Sequence, residues 1–367
     1  MNPKIPLLAA ALSAAALLSG AAHAQSTTPL LYQKTNLVSD TKGGGITIDP
    51  ILVDPWGMAF QPDGAFWIND SGSGVATLYD GNGTKVQKTF TIPNPITPSA
   101  KSQPSGLLWN PTPDFLVPGT QLTSLFMFAT RQGSIAAWAP NLPVNPTVAV
   151  TAVDNSKTGA VYTALALGET TDGAFIYAAN VHTAHIDVFD ATFKPANDKL
   201  TGTFSDPQIP AGFTPFGIHT IEGNIIVTYA KQNATKTFVT PAAGAGFVDI
   251  FDTNGNLLQR LGAGGVLNAP WGAVLAPVGF GGASGDIIVG NFGDGHINAF
   301  DGKGGIQPLL NQSGQPIGAP GLWELRFGGG SISDPRALFI TTGVDAGTHG
   351  QFSTLTPATA TPVAAAN

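Results

Sequence analysis

Three side chains with hard oxygen donors, Asp70, Asn180 and Asn291, each close a short apolar run at the same place in a repeating pattern. Gathered around one axis, they would suit Ca2+ or another divalent cation, which takes about six to eight oxygen ligands and accepts water for the remainder. Asn and Asp also end strands for a structural reason, because their side chains bond to nearby backbone and tolerate left-handed turns. Both readings stand for these three positions.

Histidines form a second set. His182, His185, His296 and His349 fall in or just after loops that follow the second strand of a repeat, and His219 lies on an inner strand. Imidazoles collected near one face could bind Zn2+ or act as a general base. Their spacing is not that of a tight metal motif, since His182 and His185 share one loop and His185 aligns with His296 rather than opposing it. The alternative is imidazoles bonded to turn backbone. Glu324 is the third feature, because it stands where other repeats carry Gly57, Gly106, Ala164, Gly217 and Gly272. A carboxylate there must face the central channel or be paired.

Other chemistry is excluded more firmly. The chain has no cysteine, so thiol nucleophiles, thiolate metal sites and disulfides are ruled out. It has no Gly-x-Ser-x-Gly elbow and no phosphate-loop signature. The turns at Asp80 and Asp252 resemble calcium loops only in their first residues and read as hairpin turns.

The elements that must position these side chains are strands. Pro55-Trp56-Gly57 returns as Pro270-Trp271-Gly272, with weaker copies at Pro104-Ser105-Gly106, Tyr162-Thr163-Ala164, Pro215-Phe216-Gly217 and Leu322-Trp323-Glu324. The middle residues are spaced by 49, 58, 53, 55 and 52 positions. Units of this length made only of strands are propeller blades. Apolar β-branched and aromatic runs alternate with Gly, Asn, Asp and Ser clusters, and no long stretch has a helical period.

The expected fold is therefore all-β: one six-bladed β-propeller spanning 25–356, with blades starting near 55, 104, 162, 215, 270 and 322. The last unit runs short of a fourth strand, and Leu31 to Ser39 can supply it, closing the ring without open edges. Residues 357–367 are Pro, Ala and Thr without alternation and are expected to be a disordered tail. Aligning the ends of the second strands gives Asp70, Ala129, Asn180, Tyr229, Asn291 and Thr342. The recurrent Trp56, Phe216, Trp271 and Trp323 are expected to fill space between blades, the alternative being an exposed platform for stacking carbohydrate.

Lys4, the apolar stretch Leu7 to Leu18 and Ala22-His23-Ala24 read as a signal peptide over 1–24, so the chain is expected to be exported to the periplasm or beyond. Its removal takes Lys4 from the 16 basic residues, leaving 15 against 23 acidic and a net charge of −8. That balance argues against nucleic acid as a partner. No membrane span and a monomer are expected.

Pro-Trp-Gly-Met-Ala-Phe-Gln-Pro-Asp-Gly at 55–64 and Leu-Tyr-Asp-Gly-Asn-Gly at 78–83 resemble the NHL and gluconolactonase-like six-bladed propellers. Over 36–355 the chain more closely resembles an uncharacterised family of exported bacterial proteins, some with a PEP-CTERM sorting tail. The matching stretches include Asn36-Leu-Val-Ser-Asp40, Ala179-Asn180, Gly290-Asn-Phe-Gly-Asp-Gly295 and His349-Gly350. That resemblance implies no activity, and the chain departs from it in lacking the sorting tail. The gluconolactonase-like resemblance implies a divalent metal in the channel held by Glu, Asn and Asp, with Glu324 supplying the Glu.

Three functions follow as expectations. The first is a binding module whose channel-mouth face takes a small molecule, carbohydrate or protein. The second is a metal-dependent hydrolase or lactonase using Asp70, Asn180, Asn291 and Glu324. The third is a structural envelope or matrix protein.

Overall fold

The computed structural model describes residues 30–358, so the expected signal peptide and the tail beyond 358 lie outside the described residues. Six sheets form the blades, antiparallel except that in the sixth Leu31–Ser39 also pairs in parallel with Thr47–Ile48 and Leu310–Asn311. Each innermost strand touches the next, and the sixth touches the first, which closes the ring of a six-bladed propeller. Blade 1 runs outward as Pro55–Ala59, Phe66–Asp70, Val75–Tyr79 and Lys85–Thr91. The inner strands of blades 2 to 6 are Pro104–Trp109, Tyr162–Thr170, Phe213–Ile221, Pro270–Leu275 and Leu322–Phe327.

Closure occurs where the sequence pattern placed it. Leu31–Ser39 lies antiparallel to Gln351–Pro357, from Tyr32 opposite Pro357 to Ser39 opposite Gln351, and is the outer strand of blade 6. Blade 3 departs from the pattern with three strands. There the Asn197 side chain takes the place of an outer strand, accepting from Val188 N at 3.0 Å and donating to Ile186 O at 2.8 Å.

Second strands such as Phe66–Asp70 and Phe126–Thr130 are buried at every residue, because both faces of each blade meet a neighbour. They therefore read as continuous apolar runs rather than alternating ones. Between blades 1 and 2, Trp67 lies on Phe126 and Trp138, with ring centroids 4.4 and 4.9 Å away.

Every inner strand slips register at its repeat motif, as between Pro55 opposite Asp70 and Met58 opposite Ile68, and in blade 4 the slip follows the third residue, Pro215. The same bulge recurs in the other five blades. A bulge re-aims side chains and sharpens twist, and here it sits on the Pro-Trp-Gly motif itself. The glycine is needed because the next blade's backbone is too close for a side chain. A Cβ on Gly57 would lie 2.6 Å from Ser105 O, and one on Gly272 would lie 2.6 Å from Trp323 O.

Polar side chains tie the same junctions. Asn69 donates to the carbonyls of Ser105 and Gly106, Ser105 to that of Tyr162, and Thr163 to that of Phe216. Thr228 donates to the Trp271 carbonyl, and Thr341 to the Trp56 carbonyl across the junction where the chain ends meet.

Candidate functional site

The two ends of the central channel are built differently. At the end where inner strands begin, the bulges turn aromatic rings onto the axis. Trp56 stacks on Trp323 with centroids 3.5 Å apart, and Trp271 meets Trp323 edge-on at 5.7 Å. Phe216 joins from blade 4 at 5.8 Å from Trp323, and Phe292 stacks on Trp323 at 4.4 Å. Phe238, from the blade 4 loop at 232–245, closes the group at 6.0 Å from Trp56. The expectation that these aromatics fill space between blades is corrected. They pack on one another across the axis and plug it, and Trp56, Phe216, Trp271 and Trp323 are fully buried, so they present no exposed stacking platform.

Arg131 lies over this plug. Its guanidinium carbon is 5.5 Å from the Trp56 ring and 5.0 Å from that of Phe238. Of the four arginines, Arg260 pairs with Asp249 and Asp206, Arg336 with Asp334, and Arg326 with the Met58 carbonyl. Of these four, Arg131 is the one whose side chain has no hydrogen bond among the described residues. Its Nε is buried without a partner, whereas its two terminal amino groups are not sealed from solvent. Burial lowers its pKa, partly offset by the charge of Asp54, and a guanidinium still keeps its proton. The Asp54 carboxylate accepts from Trp56 Nε1 at 3.0 Å. Burial raises the Asp54 pKa, against the opposing pull of that bond and of Arg131.

Asp70, Asn180 and Asn291 do stand opposite the first residues of their inner strands, as Pro55, Tyr162 and Pro270 show. In blade 2 the equivalent residue is Thr130, opposite Pro104, and not Ala129 as expected. Each side chain serves its own blade. Asp70 Oδ2 accepts from Thr77 at 2.7 Å, and burial pushes this carboxyl well above its usual range. Asn180 accepts from the backbone of Val161 and His182 and donates to Asp187 at 2.9 Å. Asn291 donates to the Val266 carbonyl and to Asp294. These three residues share no hydrogen-bond partner. Asp70 Oδ1 and Asn291 Oδ1 are buried without a partner.

The loop histidines are likewise distributed by blade. His185 is exposed and His182 half-buried in blade 3. His296 lies 3.7 Å from Asp294 in blade 5. His349 meets Asp40 at 2.7 Å, and that hydrogen bond raises its pKa. Among the described residues no group of three or more His, Cys, Asp or Glu side chains gathers as a metal site.

Towards the other end of the inner strands the axis opens into a cavity of about 130 Å³, lined by His219, Glu324, Trp271 and Arg326 among others. His219 Nε2 lies 2.9 Å from the Trp271 carbonyl, and Nδ1 lies 3.7 Å from Glu324 Oε1. Glu324 Oε1 also accepts from Leu325 N at 3.2 Å. Burial lowers the His219 pKa, while Glu324 and the Trp271 carbonyl pull it up and Arg326 adds to the lowering. Glu324 thus faces the channel and has a histidine neighbour, the two options its place in the repeat allowed.

Sequence reasoning missed Arg131, Asp54, Phe238 and Phe292. The available signals were the position of Arg131 immediately after a second strand and the unusual length of the loop carrying Phe238.

No protein-family model matches the chain. It is 33% identical over 316 residues to the uncharacterized protein R648 of Acanthamoeba polyphaga mimivirus, covering 84% of this chain and 76% of that one. To the uncharacterized protein L690 of the same virus it is 30% identical over 286 residues, covering 75% and 73%. Among solved structures it is similar to the PQQ-bound aldose sugar dehydrogenase of Streptomyces coelicolor, with a TM-score of 0.50, 12% identity and coverage of 89% and 99%. It is also similar to a protein of unknown function from Bacteroides thetaiotaomicron, with a TM-score of 0.52, 11% identity and coverage of 88% and 76%. At these identities the structural likeness is one of fold. No helix among the described residues is long and apolar enough to cross a membrane.

Proposed function

The chain belongs to the same family as the mimivirus proteins R648 and L690, and from that premise we propose that it is an exported β-propeller acting as a binding module through the face where its inner strands begin. The observation that carries this reading is the aromatic plug. Six rings seal the axis, so the face has a rigid floor, and the second-to-third-strand loops bearing His182, Phe238, His296 and His349, with His185 at the start of the third strand of blade 3, surround it. Loops on a rigid scaffold are where recognition concentrates. Export rests on the N-terminal pattern of Lys4, the apolar run and Ala22-His23-Ala24. The resemblance of its sequence to exported bacterial propellers points the same way.

The hydrolase reading would draw on Asp70, Asn180, Asn291 and Glu324. The first three each bond within their own blade, and Glu324 lies in the cavity with His219, which favours the binding module. The test is an array of carbohydrates, peptides and small metabolites probed with the wild type and with His185→Trp and Thr235→Trp, which place bulk at exposed positions of this face. Ligands of the wild type should lose at least tenfold in affinity with one or both variants. Ligands that bind all three proteins equally would place recognition elsewhere.

A further inference from the structure

The mouth of the channel holds a guanidinium that has no hydrogen-bond partner among the described residues. Arg131 follows the last residue of the second strand of blade 2, Phe126–Thr130, and its backbone is anchored by a 2.9 Å hydrogen bond from its N–H to the Gln103 carbonyl. Its guanidinium lies over Trp56 and Phe238, and its Nε is sealed off. A charged donor desolvated without an acceptor is costlier than a neutral one. The aromatic faces recover part of this through cation–π attraction. They supply no hydrogen-bond acceptor, however. The two terminal amino groups, which are not sealed from solvent, have no hydrogen-bond acceptor among the described residues. Arginine held in this way matches a planar two-oxygen anion, because two parallel N–H···O bonds fit a carboxylate edge.

We propose that Arg131 is the anchor of a carboxylate-binding subsite at the channel mouth, and that its ligand is a small organic acid such as a sugar acid. The inference rests on the binding-module reading and adds to it the chemistry of the ligand. A small acid suits the site because Arg131 is half-buried over the plug, leaving only the tip of its side chain for contact. Asp54 is the charged group that opposes an incoming anion. It is not ion-paired with Arg131, and its carboxylate is occupied by the Trp56 indole N–H. That arrangement leaves the guanidinium fork free while penalising ligands that carry charge but cannot form both hydrogen bonds.

The protein supplies its own reporter, since Trp56 lies directly beneath the guanidinium. Tryptophan fluorescence is followed while the full chain is titrated, at constant ionic strength, with glucuronate and galacturonate and with glucose and galactose as neutral controls. A saturable change is expected with an acid and not with its neutral counterpart. Arg131→Gln should abolish it, and Arg131→Lys, which keeps the charge but loses the fork, should weaken it about tenfold. Circular dichroism and the melting midpoint establish that both variants are folded.

An equal saturable response in wild type and Arg131→Gln, an equal response to the neutral sugars, or no saturation below about 10 mM for either acid overturns the proposal. Saturation by a glutamate-rich peptide but by neither sugar acid also overturns it, because the fork would then serve a protein partner. If array ligands are lost in His185→Trp or Thr235→Trp but unaffected by Arg131→Gln, the binding face stands and the carboxylate subsite alone fails.

Discussion

The indole of Trp56 stacks on that of Trp323, with ring centroids 3.5 Å apart, across the junction where the first and last blades meet. The same junction carries the Thr341 hydrogen bond to the Trp56 carbonyl and the bond from Arg326 Nε to the Met58 carbonyl. Ring closure therefore rests on more than the backbone ladder between Leu31–Ser39 and Gln351–Pro357. Trp323→Ala removes a ring that touches Trp56, Phe216, Phe238, Trp271 and Phe292. It is expected to cost about 3–5 kcal/mol in chemical denaturation. Trp109→Ala, at a half-buried ring on the same inner-strand layer, should cost clearly less, and equal losses would deny the plug its structural role.

His349 and Asp40 make stability depend on pH at the same junction. The hydrogen bond raises the folded pKa of His349 above its ordinary value near 6.5. A raised histidine pKa gives stability that is fully present below the unfolded value and is lost as pH rises through the folded one. Denaturation midpoints should therefore fall between about pH 6 and pH 9. Asp40→Asn should flatten this dependence without unfolding the chain, since Gly350 N can still bond the amide oxygen at residue 40. A profile unchanged in the variant would assign the titration to another group.

Asp70 has the opposite sign. Burial pushes its folded pKa well above 3.8, so the unfolded chain ionises first. The carboxylate lowers stability progressively as pH rises from the unfolded value towards the folded one. Blades 3 and 5 carry Asn at the equivalent place, and Asn can still accept from Thr77. Asp70→Asn should raise the melting midpoint by about 1–3 °C at pH 7 and have almost no effect at pH 4. A loss at pH 7 would show that the negative charge itself is needed there, as a bound cation would require.

The ring was legible because its repeating motif answers a local need. The bulge and the closeness of the next blade's backbone demand a small residue in almost the same place each time, so Gly57, Gly106, Gly217 and Gly272 mark the blades. Closure by Leu31–Ser39 was legible because the last unit runs short of a fourth strand and this segment lies just before the first blade. The site was less so, because its parts come together over long distances in sequence. Arg131 depends on Phe238 from another blade's loop, and His349 on Asp40 from the other end of the chain. One register was misread: aligning the ends of the second strands gave Ala129 in blade 2, where the partner of Pro104 is Thr130. Blade 3 concealed its missing strand because a single side chain, Asn197, fills the edge.

Glu324 is the carboxylate that breaks the small-residue rule, and its neighbour shows what it does. The Trp271 carbonyl can only accept, so neutral His219 carries its proton on Nε2 and presents a bare Nδ1 to Glu324 Oε1 at 3.7 Å. Two acceptors then face each other in a buried cavity, an arrangement that a proton or a bridging water must relieve. Glu324→Gln supplies the missing donor, because its amide can turn an N–H towards Nδ1. That variant should be as stable as the wild type or up to about 1 kcal/mol more stable at pH 8. Removing the carboxylate also removes the pull that raises the His219 pKa against burial, so imidazole nitrogen shifts followed by NMR should move its titration lower. Clear destabilisation at pH 8, with His219 titrating as before, would mean that the pair is held by something other than a proton or water shared between these two side chains.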